Sequence, residues 1–525
     1  MRDSGINYFN MGCLNTPSEV HVLDGGSEDY ASKPSRGAIA CMINSEISAV
    51  LAVMRRNVRW GFRYMEDDDL LEHSLIQSLK ELRKQIFLLQ PQWHTVNPIM
   101  YLEPFLDVIQ SDETGAPITG VALSSVYKIL ALGLLDLQTV GVQDAMHLVV
   151  GAVTSCRFEV TDPGSEEVVL MKILQVLLVC MKCSTSIQLS NQHVCNIVYA
   201  CFGIAHPGSS KDELLQRIAR HTVHELIRCI FSHLHDIESS EDAHDTGDIS
   251  FISTKTGAGN GGHVIGRKHQ ENGNMSSEHA AQPSTTVSPT DSLPMPVGEA
   301  GENVVSVNEG MDVMMQPYGI PCMVEIFQYL CSLLNTVESI EIGHRSNTKS
   351  HDEDVPLFAL GLINLAVELG GHSIKRHPKL LALIQNELFL NLMKFGLSPN
   401  PLILSMVCNV VLNLYHHLRT ELKLQLEAFL SCVLLRVAQS RQGSSYQQQQ
   451  VAMEALVDLC RQPTFTAEIY ANYDCDMSCS NVFEELASLL SKSAFPVNVP
   501  LSFMHVLAIN GLIAMVQAMA ERAER

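Results

Sequence analysis

Cys180 and Cys183, with two residues between them, have the spacing at which a helix end offers paired thiolates to zinc. No second pair follows at zinc-ribbon distance, and the pair closes a strongly apolar helical stretch, so two core cysteines fit better than half a metal site. His221 and His224 share a helix face with Cys229 further along, but no HExxH arrangement or carboxylate set accompanies them. The run Gly257-Ala-Gly-Asn-Gly-Gly262 suggests a phosphate loop only superficially, because no Lys-Ser/Thr follows it and no strand adjoins it. The many His and Ser residues form no nucleophile, base and orienter set. These patterns call for no metal, no cofactor and no catalytic residues.

Three further groups have chemistry suited to contact rather than catalysis. Asp474 and Asp476 flank Cys475 just before a helix led by Ser480, so their carboxylates can order a tight turn by accepting backbone N–H groups. A direct contact with a partner is compatible with that structural role. Arg55, Arg56 and Arg59 cluster at the end of the first apolar helix, where positive charge complements the helix dipole, and Trp60 follows them. Two readings stand side by side: a solvated helix end with Trp60 in the core, or a membrane or partner contact, for which three arginines alone are a short signal. Met11-Gly-Cys-Leu-Asn-Thr16 fits the myristoylation pattern if translation begins at Met11. Gly12 would then carry the acyl chain and Cys13 offer a second lipid site; as an internal residue Gly12 cannot be acylated.

A chain of 525 residues with 46% apolar side chains is long enough for about two to four domains with real cores. Its 35 basic against 57 acidic residues give a formal charge of −22, which argues against nucleic acid as a partner and against global attraction to anionic lipid. Any membrane contact has to be local or carried by a partner. The first 36 residues are polar and show no secretory leader, and the 15 cysteines are dispersed among Leu, Val and Met, so a cytoplasmic chain with reduced thiols is expected. Ser502 to Ala520 is uncharged but carries His505, Asn510, Gly511 and Gln517 with a helical stripe, which predicts a packed helix rather than a membrane span.

The elements that must position these residues are helices almost throughout. Ile43, Ile47, Val50, Leu51 and Met54 share one face, as do Leu71, Leu75, Leu79, Leu82 and Ile86. Asn97-Pro98 predicts a helix start before Tyr101, and Ser165-Glu166-Glu167 predicts another before Val169. Residues 1–37 are expected to be a disordered segment and 38–235 a first helical domain. Residues 236–315 lose the pattern, with 13 acidic and 3 basic residues, and are expected to be an acidic disordered linker. Periodicity resumes near Pro321 and defines a second domain over 316–525. No strict repeat recurs, yet helical hairpins with short turns and almost no strand alternation predict an all-α, irregular armadillo- or HEAT-like stack.

Within that frame several segments carry a family likeness. Val53-Met-Arg-Arg-Asn-Val-Arg-Trp60, Tyr101-Leu-Glu-Pro-Phe-Leu-Asp-Val-Ile109, Asp112-Glu-Thr-Gly-Ala-Pro-Ile-Thr119 and Cys156-Arg-Phe-Glu-Val-Thr-Asp162 resemble the dimerisation and cyclophilin-binding (DCB) domain of large ARF guanine-nucleotide exchange factors. Asn472, Tyr473, Asp474, Cys475 and Asp476 resemble the signature box of their homology-upstream (HUS) domain. Arg436 to Tyr446 extends the likeness to the plant GNOM branch. The resemblance implies homodimerisation through the first domain and contacts of the box with the regulatory or exchange domains. It also implies a role in ARF activation for vesicle traffic, from the cytoplasm and peripherally on Golgi or endosomal membranes. An ARF-type GTPase would be engaged only through the exchange domain, which this sequence lacks, so the chain is expected to be regulatory and not an enzyme. A helical-repeat adaptor with no part in nucleotide exchange is the alternative, since it would show the same periodicity.

Overall fold

The computed structural model describes residues 36–56, 73–88, 96–159, 163–206, 212–247, 313–335, 354–439, 443–495 and 500–524. The first half contains α1 (Arg36–Arg56), α2 (Ser74–Leu88), α3 (Ile99–Gln110), α4 (Ala116–Ala131), α5 (Val142–Thr154), α6 (Pro163–Lys182), α7 (Asn191–Ala205) and α8 (Glu213–Gly247). The second half opens with α9 (Ile320–Asn335) and α10 (Asp354–Gly370). Pro378–Leu383, a π turn at Ile384–Leu388 and Phe389–Phe395 then make one rod, α11, followed by α12 (Pro401–Leu418). Lys423–Phe429, a π turn at Leu430–Leu434 and Leu435–Ala438 make α13. The last elements are α14 (Tyr446–Cys460), α15 (Phe465–Ile469, running into a π turn at Tyr470–Asp474), α16 (Val482–Ala494) and α17 (Phe503–Ala523). Among the described residues the only β pairings are the single bridges Gly115 to Glu159 and Ser190 to Pro317.

Each helix carries apolar residues that need a neighbour, and the packing answers with two rows. In one row α1, α4, α6, α8, α10, α12, α14 and α17 touch in succession. In the other, α2, α3, α5, α7 and α9 do the same and α11, α13 and α16 continue it. The all-α, irregular armadillo-like stack read from the sequence is the architecture of the described residues. The stripe Ile43, Ile47, Val50, Leu51 and Met54 is buried, and so are Leu75, Leu79, Leu82 and Ile86; Leu71 lies outside the described residues.

Local chemistry sets the helix ends. Asn97 accepts the Ile99 amide through Oδ1 at 3.0 Å, Ser190 accepts the His193 amide at 3.3 Å, and Ser445 with Gln448 closes a capping box on α14. At Ser165 the sequence-based start is displaced, because α6 begins two residues earlier at Pro163 and Ser165 sits inside its first turn. The rods α11 and α13 meet where Gly396, which ends the first, faces the π turn of the second. A Cβ at Gly396 would stand 2.8 Å from Val433 Cγ1 and 2.9 Å from the Leu392 carbonyl, so glycine permits this approach.

Helix α8 runs on to Gly247, twelve residues into the segment expected to be linker, and the second half starts with a helical turn at 313–315; 248–312 lies outside the described residues. The two halves are joined by packing as well as by chain. Helix α8 lies on α10 and α7 lies on α9, so one hydrophobic core continues across the join.

Two half-buried histidines of the stack give a pH signature. His193 stacks on His147 with ring centroids 4.2 Å apart and is pushed down to about 4, by burial first and by His147 second. His417 is likewise pushed down to about 4 by burial, then by His416 and His372. An unfolded histidine titrates near about 6.5, so between about pH 6.5 and about pH 4 the unfolded chain binds more protons than the folded one. The stabilisation is therefore complete above about pH 6.5 and is expected to fall as the pH drops through that window. Denaturation midpoints measured across the window check this, and His193→Gln is expected to flatten the slope.

Candidate interaction surfaces

The segment Asn472 to Asp476 is built on the π turn at Tyr470–Asp474, where the Cys475 amide reaches back to the Tyr470 carbonyl at 3.0 Å. Tyr473 points inward, and its hydroxyl donates to the Lys423 carbonyl at 3.1 Å at the start of α13. Asp474 turns the other way: Oδ2 accepts the Phe483 amide at 2.9 Å and Oδ1 the Glu484 amide at 3.0 Å. One carboxylate thus satisfies two orphan donors at the positive end of α16. Asp476 Oδ1 accepts from the Ser478 amide at 3.0 Å and its hydroxyl at 2.7 Å, while Oδ2 takes the Lys423 ammonium at 2.9 Å. Glu427, one turn beyond Lys423, accepts the Ser480 amide at 2.7 Å.

Electrostatics follow from these bonds. Asp476 is held well below the usual carboxylate range, first by the Ser478 hydroxyl and then by Lys423, and the same pairing raises Lys423. Tyr473 is pushed up, by burial first and then by the nearby Glu427, Cys479 and Glu468. Next to this corner, Glu468 of α15 accepts from the Tyr415 hydroxyl at 2.8 Å and pairs with Arg419 at 3.0 Å, tying α15 to α12. What remains outward is Asn472, Cys475, half-exposed Tyr470 and wholly exposed Met477. These bonds of Tyr473, Asp474 and Asp476 stay inside the second half of the chain. Asp474→Ala is expected to cost about 1 kcal/mol, as loss of a capping carboxylate does, and to deprotect the amides of Phe483 and Glu484. Denaturation combined with hydrogen exchange measures both.

The join between the halves is the second surface. Asn191, buried at the start of α7, accepts the Gly319 amide at 2.9 Å and the Cys322 amide at 3.2 Å, and donates to the Val313 and Gln316 carbonyls at 3.0 and 3.3 Å. It caps α9 from the other half. Tyr199 donates to Glu325 at 2.9 Å, Phe202 packs on Tyr329 and Phe358, and Phe231 faces Phe327. Arg220 lies over the Phe358 ring and within 4.0 Å of Asp354. A third tie fixes α1: buried Glu46 accepts from Ser125 at 2.9 Å and from Lys128 at 2.8 Å on α4.

Arg55 and Arg56 are exposed in the last turn of α1. Arg59, Trp60, Gly12 and Cys13 lie outside the described residues. Cys180 is fully buried and pushed up by burial, and Cys183 lies next to the Cys180 carbonyl and Thr185. Among the described residues no group of three or more His, Cys, Asp or Glu is placed to hold a metal ion. Sequence reasoning missed Lys423 and Glu427 as supports of the 472–476 corner, and Asn191 as a cap for α9. Ser190 ahead of an apolar run signals the start of α7, but nothing local says that its neighbour serves a helix 128 residues on.

Two family descriptions match the chain: the dimerisation and cyclophilin-binding domain of the Mon2/Sec7/BIG1-like proteins over residues 72–236, and their HUS domain over 319–482. Helix α1 precedes the first match and α17 follows the second, yet both pack into the same stack. ARF guanine-nucleotide exchange factor GNOM of Arabidopsis thaliana is 61% identical over 518 residues, covering 98% of this chain and 36% of that protein. ARF guanine-nucleotide exchange factor GNL1 of the same plant is 61% identical over 521 residues, with the same shares. The Golgi-specific brefeldin A-resistance guanine nucleotide exchange factor 1 homolog of Caenorhabditis elegans is 28% identical over 88% of this chain and 26% of its own length. The chain therefore spans about a third of the length of the first two relatives.

Proposed function

Because this chain belongs to the GNOM-type ARF guanine-nucleotide exchange factors, whose DCB and HUS domains it carries in order, we propose that it is the regulatory, dimerisation and membrane-recruitment part of such a factor. The observation that carries the reading is the 61% identity along 98% of the chain, spanning both domains and the join that packs them together. Neither matched domain is the exchange domain, so exchange on an ARF-type GTPase would be supplied elsewhere in a full-length factor. In this reading the outward residues Asn472 and Cys475 meet a neighbouring domain, while Tyr473, Asp474 and Asp476 hold the corner in shape. In the same reading Arg55 and Arg56, exposed at the end of α1, and with them Arg59 and Trp60 of the sequence cluster, would contact a membrane or partner on the cytoplasmic side of Golgi or endosomal membranes.

Purified 1–525 is expected to leave nucleotide release from ARF at its spontaneous rate, with an active exchange domain as positive control. Acceleration comparable to that control would overturn the reading. Self-association through residues 38–235 is supported by the DCB match, and the mass from light scattering is expected to rise with concentration. A monomer throughout the micromolar range would count against that part.

A further inference from the structure

Helix α8 continues past the point where its own sequence supports it. From Glu238 to Gly247 its only apolar residue is Ala243, and from Asp236 to Asp248 there are six acidic and no basic side chains. Carboxylates at the C-terminal end of a helix oppose its dipole, and a polar stretch without an apolar stripe has no face to bury. This end therefore needs a neighbour that offers positive charge.

Such a neighbour stands across the join. Helices α8 and α10 run parallel: Arg220 lies over Phe358 near the start of α10, and at its end a Cβ on Gly370 would meet Leu234 Cδ2 at 3.4 Å. Beyond Gly370 the chain enters the 3-10 turn Gly371–Arg376, which touches α8, with the Ser373 hydroxyl 3.1 Å from His235 Nδ1. Helix α8 thus passes this turn just before its acidic end begins. From Gly371 to Lys379 the charge is opposite: Lys375, Arg376 and Lys379 are exposed, His372 and His377 accompany them, and no carboxylate intervenes. Three cations alone are a short signal for a bilayer, whereas the acidic run lies beside the turn on the same chain.

We propose that the acidic run Glu238 to Asp248 seats on the basic turn Gly371 to Lys379 and clamps the first half of the chain to the second where the chain departs towards 248–312. The clamp is electrostatic, so it weakens with salt, and it stands independently of any role in nucleotide exchange. Hydrogen exchange of the full chain, read at peptides covering 238–247 and 371–377, tests it. Glu238→Gln, Glu241→Gln, Asp242→Asn and Asp245→Asn together should speed exchange in both peptides by about tenfold, the combined effect of a few partly screened ion pairs. For a helix end without a partner the sign at 238–247 reverses, because removing carboxylates from a C-terminus stabilises it. Lys375→Gln, Arg376→Gln and Lys379→Gln should reproduce both changes, and combining the two sets should add little, since each removes the same contact. The parent chain needs no substitution to show the effect: about 1 M salt, with its Debye length of about 3 Å, should speed exchange in the same two peptides. Slower exchange at 238–247 in the neutralised run, or unchanged exchange at 371–377 in either variant, would overturn the clamp. So would phosphatidylcholine–phosphatidylserine vesicles that bind the parent chain through Lys375, Arg376 and Lys379 and protect 371–377 where the chain alone does not, which would give the turn to a membrane.

Discussion

Phe327→Ala is expected to lower the stability of the chain by about 3–5 kcal/mol and to separate one unfolding transition into two. Phe327 is fully buried on α9 and faces Phe231 of α8 with ring centroids 6.4 Å apart, so it belongs to the core of both halves at once. Truncation removes the ring and leaves a cavity that rigid helices on either side cannot collapse into. In a stack each helix pair is held mainly by its neighbours, so a weak junction breaks cooperativity there before it breaks either half. Phe465→Ala supplies the comparison: that ring is equally buried but packs on Tyr415, deep in the second half. Both variants should lose comparable stability in denaturant. Only Phe327→Ala should let amides of α9 and α10 exchange independently of those in α6 and α7. Equal loss of protection across both halves would mean that the join is not a point of coupling.

The helical stack is legible in the sequence because its information is local. An apolar stripe such as Ile43, Ile47, Val50, Leu51 and Met54 marks a buried face, and all five are buried. A turn residue followed by an apolar run marks a start, as Asn97 does at α3, while at Ser165 the same signal falls two residues inside α6. What periodicity does not contain is which face meets which. The polar residues between 236 and 247 carry no stripe that predicts three more turns of α8. The packing of α8 on α10 is specified by residues more than a hundred positions apart, such as Arg220 with Phe358. The corner at 472–476 shows the same division. Its Asp-Cys-Asp pattern announces a turn that accepts amides, and Asp474 does so on α16. Its supports, Lys423 and Glu427, come from α13, and nothing near them in sequence points to that task.

Asn191→Leu is expected to cost roughly 2–4 kcal/mol, although the side chain keeps a similar volume, because the buried backbone groups it serves lose their partners. Its oxygen takes two amides at the start of α9, from Gly319 and Cys322, and its nitrogen serves carbonyls of Val313 and Gln316 in the segment leading there. The backbone contributes as well, since the Asn191 amide donates to the Gln316 carbonyl at 3.0 Å and the Tyr318 amide to the Leu189 carbonyl at 2.8 Å. Those backbone bonds hold the segment in place, so leucine would leave the amides of Gly319 and Cys322 near an apolar group instead of releasing them to water. Asn191→Asp separates the two halves of the role. Its carboxylate still accepts the two amides, and its charge suits the positive end of α9, but it faces the Val313 and Gln316 carbonyls with no donor to offer them. The aspartate variant is therefore expected to retain protection at the 319 and 322 amides while losing order in 313–317, and to be intermediate in stability. Hydrogen exchange resolved to these peptides, read beside denaturation midpoints, distinguishes the outcomes. If the leucine variant matched the parent chain in both, α9 would be held by its apolar face alone and the cross-half cap would contribute nothing.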